Sequence, residues 1–350
     1  MDILKDGSAT AIYGSRAAGG VILITTKKGS RGKARVSYDG FVGFTSALKK
    51  FDVLNADQFV TIANEKLSNA GLPPRAGINA AVDTAETDWQ SEVMNKNAPI
   101  HSHTLSIQGG TDKASYYFSA SYSNQKGVVI SNFNKSYRIR MNVDYEINRF
   151  IKVGNNLAVS RQEDADQNNG ANSLGGAISA SIRQLPNISP YSSTHFSGYN
   201  INYPNTSSMT PGANSQTIDD NYNNVAFTLR NNKYSSDRYR IFENIYLELS
   251  PAKGLKLRSQ FGADMYNDYS YIGWSPLHGD GYGTPAGGTN GYVYNGSQNR
   301  LRLVFSNFIN YNLSIQKHNI FLTAGHEVQK TTVKAHAATG TNISDFFFIK

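Results

Sequence analysis

Tyr137-Arg138-Ile139-Arg140-Met141-Asn142-Val143-Asp144-Tyr145-Glu146-Ile147 alternates apolar and polar residues without a break. Successive side chains of a β-strand point to opposite faces, so this segment carries one apolar face and one polar, charged face. Other segments are spelled the same way. Val36, Tyr38, Val42 and Phe44 oppose Arg35, Ser37 and Asp39. Tyr116, Phe118, Ala120 and Tyr122 oppose small polar residues, with Tyr117 on the polar side. Ile151, Val153, Leu157 and Val159 oppose Lys152, Asn156 and Ser160, and Leu255, Leu257, Phe261 and Met265 oppose Lys256, Arg258, Gln260 and Asp264.

The pattern predicts nine strands, near 34–45, 100–109, 114–125, 136–147, 151–161, 236–249, 254–267, 299–313 and 318–330. Their connections alternate in length. The long 46–99 is followed by Gly110-Thr111-Asp112-Lys113, a medium loop near 126–135 by Asn148-Arg149-Phe150, the very long 162–235 by Ser250-Pro251-Ala252-Lys253, and the Gly-rich 268–298 by Ser314-Ile315-Gln316-Lys317. Short turns at one end and long loops at the other are the plan of an outer-membrane β-barrel. A soluble sandwich has no reason to gather its long connections at one end. Strands of about 10 residues also suit a tilted membrane crossing. The expected fold is all-β, a partial transmembrane antiparallel barrel.

Composition agrees. The 350 residues are 39% hydrophobic and only 17% charged, with 31 Gly, 21 Tyr and 17 Phe. The negative mean hydropathy is no objection, because alternating strands cross a bilayer at low overall hydropathy. No cysteine is present, which removes disulfides and thiolate chemistry. The net charge of +8 is spread along the chain, and its densest cluster, Lys27 to Arg35, lies between two strand-like segments as a solvated linker; no nucleic acid is expected. Met1 is followed by no leader peptide, and Asp345-Phe346-Phe347-Phe348-Ile349-Lys350 stops inside an apolar run, so both ends are expected to be cuts in a longer protein. Nine strands cannot close a wide barrel, and open edges are prohibitive in lipid.

Two loops should hold helices. Asn55 is placed to cap a short amphipathic helix over 55–70, and Leu174–Leu185 predicts a second that ends before Pro186. Nearer the start, Ser8 to Tyr13 reads as a short helix and Val21 to Thr26 as a strand buried on both faces. The glycines between them form no phosphate loop, since GxxxxGK[ST] and GxGxxG are absent and the turn leads into a strand.

The run Ile3-Leu4-Lys5-Asp6-Gly7-Ser8-Ala9-Thr10-Ala11-Ile12-Tyr13-Gly14-Ser15-Arg16, followed by Gly20-Val21-Ile22-Leu23-Ile24-Thr25-Thr26-Lys27-Lys28-Gly29, closely resembles the end of the plug domain in SusC/RagA-type TonB-linked outer-membrane transporters. Within it, Leu4, Lys5, Asp6, Ala9, Thr10, Ala11, Ile12, Tyr13, Gly14, Arg16 and Gly20 carry the motif, and Ala17-Ala18-Gly19 departs from it. Thr87-Asp88-Trp89-Gln90, the Ser106 to Gly110 turn and Lys152-Val153-Gly154 look like that family's early barrel. The resemblance implies that residues 1–30 end a plug domain and 31–350 begin a barrel of about 22 strands. It further implies a bacterial outer-membrane importer of oligosaccharides or oligopeptides, partnered by the TonB complex, through a region upstream of this sequence, and by a SusD-like lipoprotein. No cofactor is implied. The alternative is a soluble extracellular carbohydrate-binding or structural β-sandwich; a cell-wall-active enzyme with an aromatic cleft is a third reading.

No catalytic residue emerges. There is no Gly-x-Ser-x-Gly elbow, and Asp83, Glu86 and Asp88 lack calcium-loop spacing, so no enzyme is expected. His101-Ser102-His103 sets two imidazoles on one strand face, too few donors for a metal without a third ligand. His278, His326 and His336 are isolated polar loop or strand-end residues. The aromatic loop residues Tyr191, Phe196, Tyr199, Tyr203, Tyr269, Tyr271, Trp274, Tyr282, Tyr292 and Tyr294 either contact a solute or lipoprotein, or form an interfacial girdle and pack on one another. Arg138 and Arg140 are expected to face the lumen.

Overall fold

The computed structural model describes residues 2–5, 19–23, 29–73, 85–165, 176–202, 223–282, 290–315 and 318–343. Strands β1 (Asp2–Leu4) and β2 (Val21–Leu23) pair antiparallel as a separate two-stranded sheet. Nine further strands make a single antiparallel meander in sequence order. They are β3 (Gly32–Thr45), β4 (Ala98–Gly110), β5 (Ala114–Lys126), β6 (Phe133–Asn148), β7 (Ile151–Ala165), β8 (Lys233–Ala252), β9 (Leu255–Trp274), β10 (Tyr292–Ile315) and β11 (His318–Thr341). A sandwich needs two sheets packed face to face. Here every strand that would build them lies in one wall.

The wall is inside out relative to a soluble sheet. Register puts Tyr137, Ile139 and Met141 on one face with Tyr122, Ala120 and Phe118 of β5 and with Val159 and Leu157 of β7. Val36, Leu105, Ile241, Phe261, Leu301 and Phe305 continue that face, and all are well exposed. The opposite, polar face holds the buried strand residues Tyr117, Ser119, Ser136, Asn142, Tyr246, Asp264 and Ser306. Crowded polar groups on one side and bare apolar groups on the other are what a barrel presents to its lumen and to lipid.

Short turns join the strands at one end. Asn148 Oδ1 accepts from Phe150 N at 2.8 Å and Ile151 N at 3.0 Å, closing the β6–β7 turn. Gly254 (φ +80°) turns β8 into β9, and a Cβ there would lie 2.2 Å from Asn312 O of β10. Only glycine fits that approach.

The opposite end carries α1 (Ala56–Asn69), α2 (Trp89–Val93), α3 (Ala177–Arg183) and α4 (Val225–Asn231). Asn55 caps α1 in a full capping box with Gln58. Three expectations need correction. The second loop helix is shorter than 174–185, because Gln184 is already extended ahead of Pro186. In β2, Ile22 is 61% exposed, not buried, and Ile24 to Thr26 lie outside the described residues. Finally, β9 and β10 extend to 274 and back to 292, so Tyr269, Tyr271, Trp274, Tyr292 and Tyr294 are strand residues. The helix expected at Ser8–Tyr13 lies outside the described residues.

Candidate functional site

Register places Arg138 and Arg140 on the polar face of the sheet. Register aligns Arg138 with Ser121, Ser160, Arg240, Tyr266 and Arg300 in one row across the wall. The next row holds Ser119, Arg140, Ala158, Phe242, Asp264 and Arg302. Arg240 grips Asp264 with both arms of its guanidinium, at 2.7 and 2.9 Å. Arg300 lies 5.0 Å from the centre of the Tyr266 ring. The Nε atoms of Arg300 and Arg302 are buried with no hydrogen-bond partner. Arg240, Arg300 and Arg302 were not singled out by sequence, yet Arg300-Leu301-Arg302 repeats the spelling of Arg138-Ile139-Arg140.

Toward the short turns the same face carries paired charges of both signs. Asp144 accepts from the Tyr246 hydroxyl and lies 3.7 Å from Lys152, and Glu248 sits between Lys256 and Arg258. Glu327 accepts from Ser306 at 3.0 Å. Toward the long loops, Arg238 is paired with Asp164 at 2.9 Å and approaches Asp268.

The long loops fold together into a structured mouth. Trp89, Val93, Ala177, Ala180, Leu185, Ile188, Val225, Ala226 and Leu229 form one core joining segments distant in sequence. Trp89 is 2% exposed and donates Nε1–H to Leu185 O. Asp88 caps α2 through Ser91 N and pairs with Lys50 at 2.7 Å. Partial burial works against its charge, but the hydrogen bonds from Lys50 and Ser91 outweigh it and hold the carboxyl down to about 2. Glu86 accepts from Ala56 N, so these acids serve loop architecture, while Asp83 lies outside the described residues. A cleft of about 530 Å³ opens between Asp52–Leu54, Phe59, Trp89 and the Ser181–Pro186 stretch.

The aromatic candidates divide. Tyr191 and Tyr199 are paired at 5.6 Å, and Tyr199 packs edge-on to buried Phe227. Burial and the bond that Tyr191 donates to Glu92 push the Tyr191 hydroxyl up to about 12. Phe196, 71% exposed, lies against His195. Trp274 belongs to the polar face, where it contacts Tyr292 at 4.6 Å and donates to the Tyr234 hydroxyl. Tyr269 and Tyr271 point to the apolar face, and Tyr269 meets Tyr239 edge-on. Tyr282 closes a turn on Gly279 O. Tyr203 and the motif residues Asp6, Ala9 to Gly14 and Arg16 lie outside the described residues, whereas Leu4 pairs with Val21 beside Gly20.

His278 is a surprise that no sequence signal announced. It is fully buried, accepts from Asn224 N at 2.6 Å, and burial drives its pKa down to about 3. His101 and His103 sit 5.4 Å apart on the apolar face, with His103 Nδ1 bonded to the Tyr38 hydroxyl at 2.7 Å. Among the described residues no group of three His, Asp or Glu side chains is arranged to hold a metal.

No protein-family model matches the chain. It is 31% identical to TonB-dependent receptor P3 of Formosa agariphila over 334 residues, 94% of this chain and 30% of that protein. It is 44% identical to TonB-dependent receptor SusC of Bacteroides thetaiotaomicron over 137 residues, 39% of this chain and 13% of that one. Among solved structures it resembles a chain of the RagAB peptide transporter (TM-score 0.71, 24% identity) and one of the RagAB peptide importer in its open-open state (TM-score 0.72, 23% identity). Each match covers 99% of this chain and 40% of the other, and at that identity it speaks for the fold alone. The chain spans less than a third of the length of these curated relatives.

Proposed function

We propose, for a chain that belongs as a portion to the SusC/RagA-type TonB-dependent receptors of the outer membrane, that the complete receptor is an energised importer of oligosaccharides or oligopeptides. Residues 1–30 are read as the last part of a plug and residues 31–350 as the first part of the barrel. The observation that supports importing over a purely structural role is the wall itself. Its polar side carries charged groups along its length, and the described parts of its long connections pack together at one end. A passive pore needs a wet lumen, whereas a folded mouth with clefts is suited to capture. The cleft beside Trp89 and the exposed rings of Tyr191 and Phe196 suit a SusD-like lipoprotein or the solute it delivers. TonB would act through the part of the receptor upstream of this chain.

The test is uptake by cells carrying the complete receptor. Labelled oligomers should accumulate with an intact proton-motive force, and accumulation should stop on adding a protonophore or deleting TonB. Uptake indifferent to both treatments would mark a passive channel. Affinity purification of the receptor should also recover a surface lipoprotein in stoichiometric amount.

A further inference from the structure

We propose that Arg138, Arg140, Arg240, Arg300 and Arg302 form a cationic belt that selects solutes bearing carboxylate or sulfate groups, a specificity that rests on the importer reading. The two polar-face rows collect five guanidinium groups from three strands against one carboxylate, Asp264. That carboxylate is already gripped by Arg240. No ion pair among the described residues holds Arg138, Arg140, Arg300 or Arg302. Two of these arginines also bury an Nε–H with nothing to receive it. Guanidinium stays charged at any physiological pH and presents a planar fork to oxyanions. Five of them on one wall, with a single carboxylate among them, concentrate anions in the space they face.

Depth identifies the occupant. β6, β8 and β10 each begin at the long-loop end and carry these arginines in their first halves, so the belt lies in the half of the wall nearer the long loops. The acids Asp144, Glu146 and Glu248 occupy the half nearer the short turns. There the chain entering β3 reaches the wall, and Arg31 pairs with Glu146 at 2.7 Å. The segment that leads in from residues 1–30 therefore meets wall whose acids are already paired with Lys152, Lys256 and Arg258, and the arginines stand above it toward the mouth. At the rim the Arg238 charge is already satisfied by Asp164. A solute arriving through the loops passes Arg238 with its two carboxylates, Asp164 and Asp268, and then meets the belt, where cations outnumber acids.

The complete receptor, purified in detergent, can be titrated calorimetrically with matched probes. One pair is a galacturonic-acid tetrasaccharide and a galactose tetrasaccharide; the other is a Glu-containing hexapeptide and its Gln counterpart. The acid-bearing member of one pair should bind at least about tenfold tighter than its neutral partner, the worth of one charge-assisted hydrogen bond. That preference should shrink as salt rises. It should vanish in R138Q/R140Q/R300Q/R302Q, which leaves the Arg240–Asp264 pair in place, with neutral binding unchanged. The responding pair tells glycan from peptide. Equal affinity for acid and neutral probes, or binding of none, overturns the belt. So does a variant that loses neutral binding too or becomes leaky to large solutes, because the arginines then hold the plug. Energised uptake without charge preference defeats the belt and spares the importer, whereas absence of energised uptake defeats the importer.

Discussion

At position 154 the wall has no room for a side chain. A Cβ on Gly154 would stand 2.2 Å from the Tyr246 ring and 2.6 Å from the Asp144 carboxylate. Tyr246 covers the glycine, bonds through its hydroxyl to Asp144, and is itself covered by Arg258, 3.8 Å from the ring centre. An aromatic ring laid over a strand glycine restores the packing that glycine forfeits. Gly154→Val should therefore expel the ring and cost about 1–3 kcal/mol, the usual range for overpacking. Gly262→Ala, whose Cβ meets nothing nearer than 3.8 Å, should be silent. The midpoint of heat-induced loss of barrel mobility on gels checks both; equal losses would refute the packing argument. His278 supports a second prediction at this scale. Its folded pKa is about 3 against an ordinary 6.5, so the unfolded loops bind the extra proton between those values. Its contribution is complete above pH 6.5 and declines as pH falls toward 3, by about tenfold in the opening equilibrium per unit. Protease cleavage of the mouth loops should accelerate on going from pH 7 to pH 5, and His278→Gln, which keeps an acceptor for Asn224, should flatten that dependence. An identical slope in the variant would place the titration elsewhere.

At the scale of elements, the nine strands were readable because one face meets lipid and the other water, which enforces period two. Where the wall rises clear of the membrane, both faces are wet and the rule lapses. β9 is 20 residues long, roughly 66 Å at strand rise, far more than a tilted crossing of a core about 30 Å thick requires. Its upper part, Asp268-Tyr269-Ser270-Tyr271, has no apolar stripe and reads as loop. The short helices of the mouth were equally hard to see. α4 has 7 residues, and its apolar side chains Val225, Phe227 and Leu229 are buried by partners from remote loops. Such a helix owes its existence to tertiary contacts and leaves little periodic trace. The mouth thus depends on a few anchors, Trp89 first. Trp89→Ala should cost the loop cluster about 3–5 kcal/mol, while Trp89→Phe, which strands Leu185 O, should cost nearer 1 kcal/mol. Loop proteolysis should rise steeply for the first and slightly for the second, with the β-sheet circular dichroism of both unchanged. A sheet signal lost in step with the loops would show that mouth and wall fold as one unit.

For the whole molecule, the energetics of the wall are set by what surrounds it. Val36, Val42 and Phe44 on β3 are 64–71% exposed, and every residue of β11 is exposed. In a closed barrel these two strands would be paired on both sides; here each leaves a row of backbone N–H and C=O groups open beside an apolar face. Unpaired edges template association in water and are intolerable in lipid, so neither solvent accepts this wall alone. Aromatic and apolar residues on its outer face, favourable against acyl chains, add to the same tendency in water. The 350-residue chain produced by itself should sediment as aggregate, and dodecylmaltoside should not yield a monodisperse monomer from it. Supplying the remaining strands of the receptor in the same polypeptide should give a detergent-soluble particle whose mobility on gels changes on heating, as expected of a closed barrel. A soluble, monodisperse 38.4 kDa monomer in plain buffer would contradict the membrane wall itself, because it would require the apolar face and both edges to be covered from within the chain.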